Sequence, residues 1–545
     1  MPAPGDREVT DPYSAAPLTP VIVGAGQVSE RIGTAGYRRR SPVDLAADAA
    51  RAALADTGAD QAALAGAIDT VAGVRQFEIS SPLAVALLGR SDNYPRSVAG
   101  RLGASPGRAI LEVTGGQAPQ HLVSELAATI AAGESEVALI FGAEAISTML
   151  HFAAAAAGTA AGTAAGTVDT DRPDFTEHAG GSLEDRGYGL DGMISAHNAA
   201  HGLTDAPTQY AVIENARRAR LGLSRAEYAA AMGELFAPFT VVAAANPHAA
   251  APVVRTAAEL VTPTEANRPV ADPYLRYLVA REKVNQGAAV LLMSAGAARR
   301  LGVPPRRWVF LPGHADLAER DLLDRADLSA SPAAVLAVRH ALEVAGIEAA
   351  DLAAIDLYSC FPIPVFNICD GLGLAPDDPR GLTVTGGLPF FGGPGNNYSL
   401  HAIAEVIGRV RARPGSYGFV GANGGIMGKY SAGVYSTRPS PWRADASAVL
   451  QAQVDGWSAP PQSQDPDGWA TIETATVKHR KDGTSTGVII GRLEAGGARF
   501  VARSDDDPAM LALLSGPEPA GQRVRVRSAA ENGRVISRAK VTEVC

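Results

Sequence analysis

Pro20-Val21-Ile22-Val23-Gly24-Ala25-Gly26 is a short apolar, β-branched run that stops on glycine, the pattern of a buried strand. Ser41-Pro42 then offers an N-cap and an N1 proline for a helix through Ala53-Leu54 that closes near Gly58. Ala67-Ile68-Asp69-Thr70-Val71 reads as the next strand, so the unit is the βαβ of a largely parallel sheet. The same order returns after residue 300. Trp308-Val309-Phe310-Leu311 ends at Pro312-Gly313, Ser331-Pro332 starts a helix through Ala341-Leu342 that closes at Gly346, and Ala354-Ile355-Asp356-Leu357 is the strand. The leucine-to-glycine step is four residues in both halves.

A second pair of segments repeats as well. Gly115-Gly116 precedes a predicted helix Leu122–Ala132 and a strand Val137–Phe141. Gly392-Gly393 precedes Ser399–Val410 and Tyr417–Val420. Two matched stretches in one order predict an internally duplicated α/β fold. The reading divides the chain into a flexible lead-in over 1–19, a first half over 20–299, a second half over 300–438, a linker over 439–467 and a β-rich domain over 468–545. An insertion of about 150–275 interrupts the first half; it begins with the low-complexity stretch Ala153–Thr167 and continues through helices over Gln209–Leu221 and Arg225–Phe239. The last domain shows five short strands, one short helix and turns at Asp482-Gly483, Gly496-Gly497 and Asn532-Gly533, which predicts a small barrel of OB type.

Composition narrows the function classes. A formal charge of -9 argues against a chain that binds nucleic acid or anionic membrane along its length. Cys360, Cys369 and Cys545 make no disulfide framework, and neither a signal peptide nor a long uncharged apolar run is apparent, so the expectation is a cytoplasmic protein. The histidines show no metal-ligand spacing, and no metal site is expected. Gly24-Ala25-Gly26 lacks the third glycine and the immediate helix that a dinucleotide fingerprint requires. More telling are glycine pairs at strand ends, Gly115-Gly116, Gly386-Gly387, Gly392-Gly393 and Gly424-Gly425, where backbone must approach something closely.

Together with the duplication, the segments Asp356-Leu-Tyr-Ser-Cys-Phe-Pro362, Gly386-Gly-Leu-Pro-Phe-Phe-Gly-Gly-Pro-Gly-Asn-Asn-Tyr398 and Asn423-Gly424-Gly425 resemble the thiolase superfamily over roughly residues 20–437. They are most similar to the thiolase-like protein type 1 branch, acetyl-CoA acetyltransferase-like, with an additional C-terminal domain. The resemblance implies two duplicated halves in α-β-α-β-α layers and a pantetheine channel. It also implies that the catalytic cysteines and histidines are replaced. Gln117 stands at the nucleophile, Tyr358 at the first position of the second motif, Gly393 where the activating histidine belongs, and Gly421 or Ala422 at the acid/base cysteine. A carboxamide cannot form an acyl-enzyme, so thiolase chemistry is expected to be lost. Cys360 is expected to point to the sheet and to be a buried, inert thiol.

The candidate site is therefore Gly116, Gln117, Gly393, Asn397, Asn423 and Gly424 for substrate, with Tyr358, Asn396 and His401 as catalytic candidates. Tyr358 reads equally as a core aromatic, and His401 equally as a packed helix histidine. Arg217, Arg218 and Arg220 read either as cations for CoA phosphates or as a solvated helix face. The favoured expectation is a protein of lipid metabolism that binds CoA or acyl-CoA, monomer or homodimer, without thiolase activity. The alternative is a thiolase-fold retro-aldolase or other acyl-CoA carbon–carbon bond enzyme using Tyr358. A second alternative is nucleic-acid binding through the last domain, where Arg523, Arg525 and Arg527 share a strand face; scarce aromatics argue against it.

Overall fold

The computed structural model describes residues 12–156, 172–190, 195–505, 507–531 and 534–540. Its strands, in chain order, are β1 (Pro20–Ser29), β2 (Thr70–Gly73), β3 (Arg108–Leu111), β4 (Val137–Ala145), β5 (Glu184–Asp185), β6 (Pro269–Ala271), β7 (Tyr274–Leu275) and β8 (Asn285–Ser294). The second half holds β9 (Phe310–Ala318), β10 (Leu352–Leu357), β11 (Tyr417–Gly424) and β12 (Lys429–Ser436). The last domain holds β13 (Gly468–His479), β14 (Ser485–Leu493), β15 (Arg499–Asp505), β16 (Arg523–Glu531) and β17 (Arg534–Lys540).

The duplication is visible in pairing. One sheet runs β1-β8-β4-β2-β3-β5, the other β9-β12-β11-β10. In both, one end of the sheet is parallel (β4, β2, β3 and β5 in the first, β10 and β11 in the second) and the other is antiparallel (β1, β8 and β4; β11, β12 and β9), so neither sheet is as largely parallel as the βαβ reading implied. The predicted helices of the repeat appear as Pro42–Asp56 and Pro332–Ala345 outside the sheets, and as Ala118–Ala131 and Tyr398–Ala412 between them. Both inner helices are apolar because each touches both sheets; His401 and Ser399 are buried with Leu400 and Ile403. The result is the five-layered, duplicated α/β fold expected.

The last five strands close a barrel in the order β13-β14-β15-β17-β16 and back to β13, with a parallel β15–β17 pair and the helix Pro508–Leu514 before β16. This is the OB-like barrel read from the sequence. Its first strand also pairs with β6, Lys478 opposite Ala271, so the barrel's sheet runs on into the insertion.

Three boundary readings change. Residues 12–19 are held rather than loose: Arg299 donates to the carbonyls of Tyr13 and Ala15, and Tyr13 packs on Trp308. The 439–467 linker contains a helix, Ser447–Asp455, whose Gln451 exchanges hydrogen bonds with both main-chain groups of Ala318 and so covers the edge of β9. Arg225–Ala245 is the one described helix long and apolar enough to cross a membrane; here Tyr228, Met232, Phe236 and Phe239 are buried in the core. Residues 153–156 of the Ala-rich stretch extend the helix Ile146–Ala156; most of that stretch, residues 1–11, the Asn532-Gly533 turn and Cys545 lie outside the described residues.

Candidate functional site

A cavity of about 610 Å³ opens between the halves beneath the insertion, a size suited to a small-molecule ligand. Its floor comes from four segments: Thr114–Gly116 before the inner helix of the first half, Tyr358–Phe361 after β10, the 388–396 loop, and Asn423–Ile426 at the end of β11. Glycine is required on this floor. A Cβ on Gly116 would lie 2.3 Å from the Tyr358 hydroxyl and 2.5 Å from the Asn423 carbonyl, and one on Gly424 would lie 2.0 Å from Gln117 Oε1.

Tyr358, Gly116, Gly393, Asn396, Asn423 and Gly424 line the cavity as expected. The Tyr358 ring stands edge-on to Tyr398 at 5.4 Å, and burial pushes its phenol pKa well up, so the hydroxyl stays protonated. Asn396 is fully engaged. Its Oδ1 accepts from Gly115 N at 3.0 Å while Nδ2 donates to Arg75 O and Ser80 Oγ at 2.7 and 2.8 Å. Its visible role is therefore to hold the glycine turn. Asn423 Nδ2 donates to the hydroxyl of Tyr210 at 2.9 Å, and Tyr210 stacks on Phe361 at 4.5 Å.

The structure places the other candidates elsewhere. Gln117 sits at the start of the helix Ala118–Ala131, but its carboxamide is packed in the crevice between Gly115 and Gly424, with Oε1 buried and unpartnered. Asn397 donates to Gly142 O at 2.7 Å, away from the cavity lining. His401 is fully buried, with Nδ1 2.7 Å from Gln27 Oε1; burial holds its pKa well below the usual range, and it does not reach the cavity. The packed-histidine reading applies because residue 401 falls on the face of its helix turned into the core. Cys360 differs in the opposite direction: it lines the cavity instead of pointing to the sheet. Burial pushes its thiol up to about 12, against smaller opposing effects of Tyr210 and Asn423, so it remains a protonated, poor nucleophile.

Arg217 and Arg218 are buried, Arg220 is exposed, and all three are paired. Arg217 makes a forked pair with Asp370 at 2.7 and 2.9 Å and lies over the Phe366 ring; Arg220 reaches the same carboxylate at 3.0 Å. Arg218, 1 % exposed, meets Glu518 of the barrel at 3.2 Å and the Leu223 carbonyl at 2.8 Å. They hold the insertion to its neighbours and do not line the cavity. The cations that do are Arg255, Arg268, Arg276, Arg281, Lys283 and Lys481, with a single acid, Glu282, among them. None of the six has a carboxylate partner among the described residues. Arg281 carries a buried, unpartnered Nε, and burial together with Arg276 and Arg255 depresses its pKa.

Sequence reading missed Tyr210 and these six. The run Arg276-Tyr-Leu-Val-Ala-Arg281-Glu-Lys283, basic and placed where the insertion returns to β8, was the available signal. A group of ligating type does occur outside the cavity, Glu112, His121 and Glu125. Arg186 already lies between its carboxylates, at 2.6 Å from Glu112 and 2.5 Å from Glu125, so the cluster is an ion-pair network.

The additional C-terminal domain of thiolase-like protein type 1 matches residues 449–531. A monomeric SCP2-thiolase-like protein type 1 from Mycobacterium smegmatis is 50 % identical, with a TM-score of 0.80, covering 96 % of this chain and 99 % of that one. The Ltp2–ChsH2(DUF35) aldolase (19 % identity, TM-score 0.53, 77 % and 98 % covered) and the acetyl-CoA acetyltransferase of Syntrophomonas wolfei (17 %, 0.52, 77 % and 98 %) share the fold. No curated protein matches. With half of its residues identical across nearly the full length of both chains, this chain belongs to the SCP2-thiolase-like protein type 1 family.

Proposed function

We propose that the protein binds CoA or an acyl-CoA thioester in the central cavity and does not carry out thiolase chemistry. The observation that carries this reading is the contrast between floor and rim. The floor is glycine backbone with neutral hydroxyl, carboxamide and thiol groups; the rim bears six cations against one acid, Glu282, and none of the six is held in an ion pair among the described residues. A cluster of like charges left unpaired is stabilised by a polyanion, and phosphate oxygens are the natural partner for guanidinium groups. A pantetheine arm is long and narrow, and its thioester would end among Gly116, Tyr358 and Asn423. The acetyl-CoA acetyltransferase of the same fold acts on a CoA thioester by its name. Loss of thiolase activity follows from the packed glutamine at the nucleophile position, Gln117, and from the cavity-lining thiol of Cys360, whose pKa is pushed up to about 12 and which cannot stand in for it.

Calorimetric titration with CoA and a series of acyl-CoAs tests this. Expected are one site per chain, affinity that falls with added salt, and no turnover of acetoacetyl-CoA. Absence of affinity for every CoA derivative would sink the binding reading, and an acyl group trapped on Cys360 would sink the claim of lost chemistry.

One observation favours a second reading, carbon–carbon bond cleavage of an acyl-CoA. Tyr358 lines the cavity with its hydroxyl beside the backbone at Gly116 and stays protonated, so it is placed to donate a hydrogen bond to a reacting oxygen and to exchange a proton with it. Product analysis with β-hydroxyacyl-CoAs tests it; cleavage that persists unchanged in Tyr358→Phe removes the tyrosine from the mechanism.

A further inference from the structure

We infer that the C-terminal barrel is a wall of the ligand site, and that Lys481 on its first hairpin engages the phosphate farthest from the thioester. This inference rests on the CoA reading above and goes beyond it by assigning the added domain a part in recognition.

Two independent observations carry it. The first is position. Lys481 lies at the turn between β13 and β14, and among the described residues it is the one in the barrel that lines the cavity. It is exposed, whereas Arg255, Arg268 and Arg281 are half-buried, so it stands on the outer rim. A ligand whose thioester reaches Tyr358 presents its other end there. The second is continuity. β13 pairs with β6, and β6 is flanked by two of the rim cations, Arg268 before it and Arg276 just after β7. The junction is tied by side chains as well: Thr476 Oγ1 donates to Asp272 O at 2.8 Å, Asn215 Nδ2 bridges Asp272 O and Ala475 O at 2.7 and 2.9 Å, and His479 Nε2 meets Asp272 Oδ1 at 3.1 Å.

The barrel is itself fixed to the second half. Arg499, fully buried, pairs with Glu473 and donates to the carbonyl of Leu323 at 2.9 Å. The barrel's other cations are mostly committed: Arg523 to Glu494, Arg525 to Asp467, Arg538 to Glu531 and Lys478 to Asp205. Lys481 has no carboxylate partner among the described residues, which leaves its charge available to a ligand. Two of the three arginines once read as a nucleic-acid face are thereby spoken for.

The test uses the full-length chain, its Lys481→Glu variant, and Lys540→Glu as a control at an exposed barrel position outside the cavity. Each is titrated with CoA, with dephospho-CoA, which lacks the 3′-phosphate, and with pantetheine. Expected is a loss of about tenfold in CoA affinity for Lys481→Glu, a smaller loss for dephospho-CoA, no change for pantetheine, and unchanged melting temperature. The control binds all three as the parent does. Parent affinity retained within twofold in Lys481→Glu overturns the inference and leaves the CoA reading intact. An equal loss for pantetheine also overturns it, because the lysine would then be acting on the fold and not on phosphate. A parent chain that binds none of the three overturns both.

Discussion

Two sets of cations separate the structural from the functional surface of this protein. Arg217, Arg218 and Arg220 on the helix Ala206–Leu221 all end on carboxylates, Asp370 or Glu518, and two of them are buried. Arg255, Arg268, Arg276, Arg281, Lys283 and Lys481 gather from four separate stretches around one cavity and pair with none. Both sets look alike in a list of residues. What differs is whether folding has already supplied the counter-charge. The first set stabilises the insertion, and the second stores repulsion that a ligand relieves.

The sharpest way to break that comparison is Arg281→Glu. CoA affinity should fall by about 100-fold, since a half-buried charge-assisted contact is replaced by repulsion, while the melting temperature should hold or rise as the like-charge strain with Arg255 and Arg276 is relieved. A fall in both would return Arg281 to the structural set. The converse is Arg218→Ala, expected to cost about 2 kcal/mol in denaturant unfolding because the Leu223 carbonyl and Glu518 lose a buried donor, with CoA affinity within twofold of the parent. Raising salt from about 50 to 500 mM sharpens the contrast more gently: CoA binding should weaken by about tenfold, and the unfolding midpoint should move little.

The smallest effect concerns pH. Glu214, on the same helix as the paired arginines, is fully buried and takes hydrogen bonds from Tyr228 and, at 2.7 Å, from Tyr274. Burial raises its carboxyl from 4.5 to about 7, outweighing the hydroxyls and Arg217. The folded chain thus holds a proton that the unfolded chain has released, and this group's contribution to stability declines as pH climbs from about 4.5 to 7. Glu214→Gln should flatten that part of the stability profile in urea titrations, leaving CoA affinity unchanged; a profile identical to the parent's would show that another group sets the slope.

Periodicity and turn chemistry were enough for the architecture. The strand, capped helix and glycine sequence around Val21, and again around Val309, foretold two similar α/β halves but not the antiparallel pairing of β1, β8 and β4 or of β11, β12 and β9, and the five barrel strands were legible as short runs between Gly-containing turns. The site floor was legible for a related reason: glycine at 116 and 424 marks close backbone approach whatever the surroundings. Three kinds of residue resisted. Tyr210 reaches the floor from an insertion far away in sequence, and its tyrosine has no signature. Cys360 and His401 each have a side chain whose direction depends on which face of a loop or helix the core takes. The 447–455 helix lay hidden in a Pro- and Gln-rich stretch because its stability comes from covering the edge of β9 rather than from its own composition.

Backbone preference is local, so sequence alone determined the duplicated α/β halves, the barrel and the substitution of a carboxamide for a nucleophile. Charge compensation is a property of neighbours in space. Only the tertiary structure decided which arginines are spent on Asp370 and Glu518 and which are left facing a cavity, and only the β6–β13 pairing brought Lys481 of the barrel to its rim.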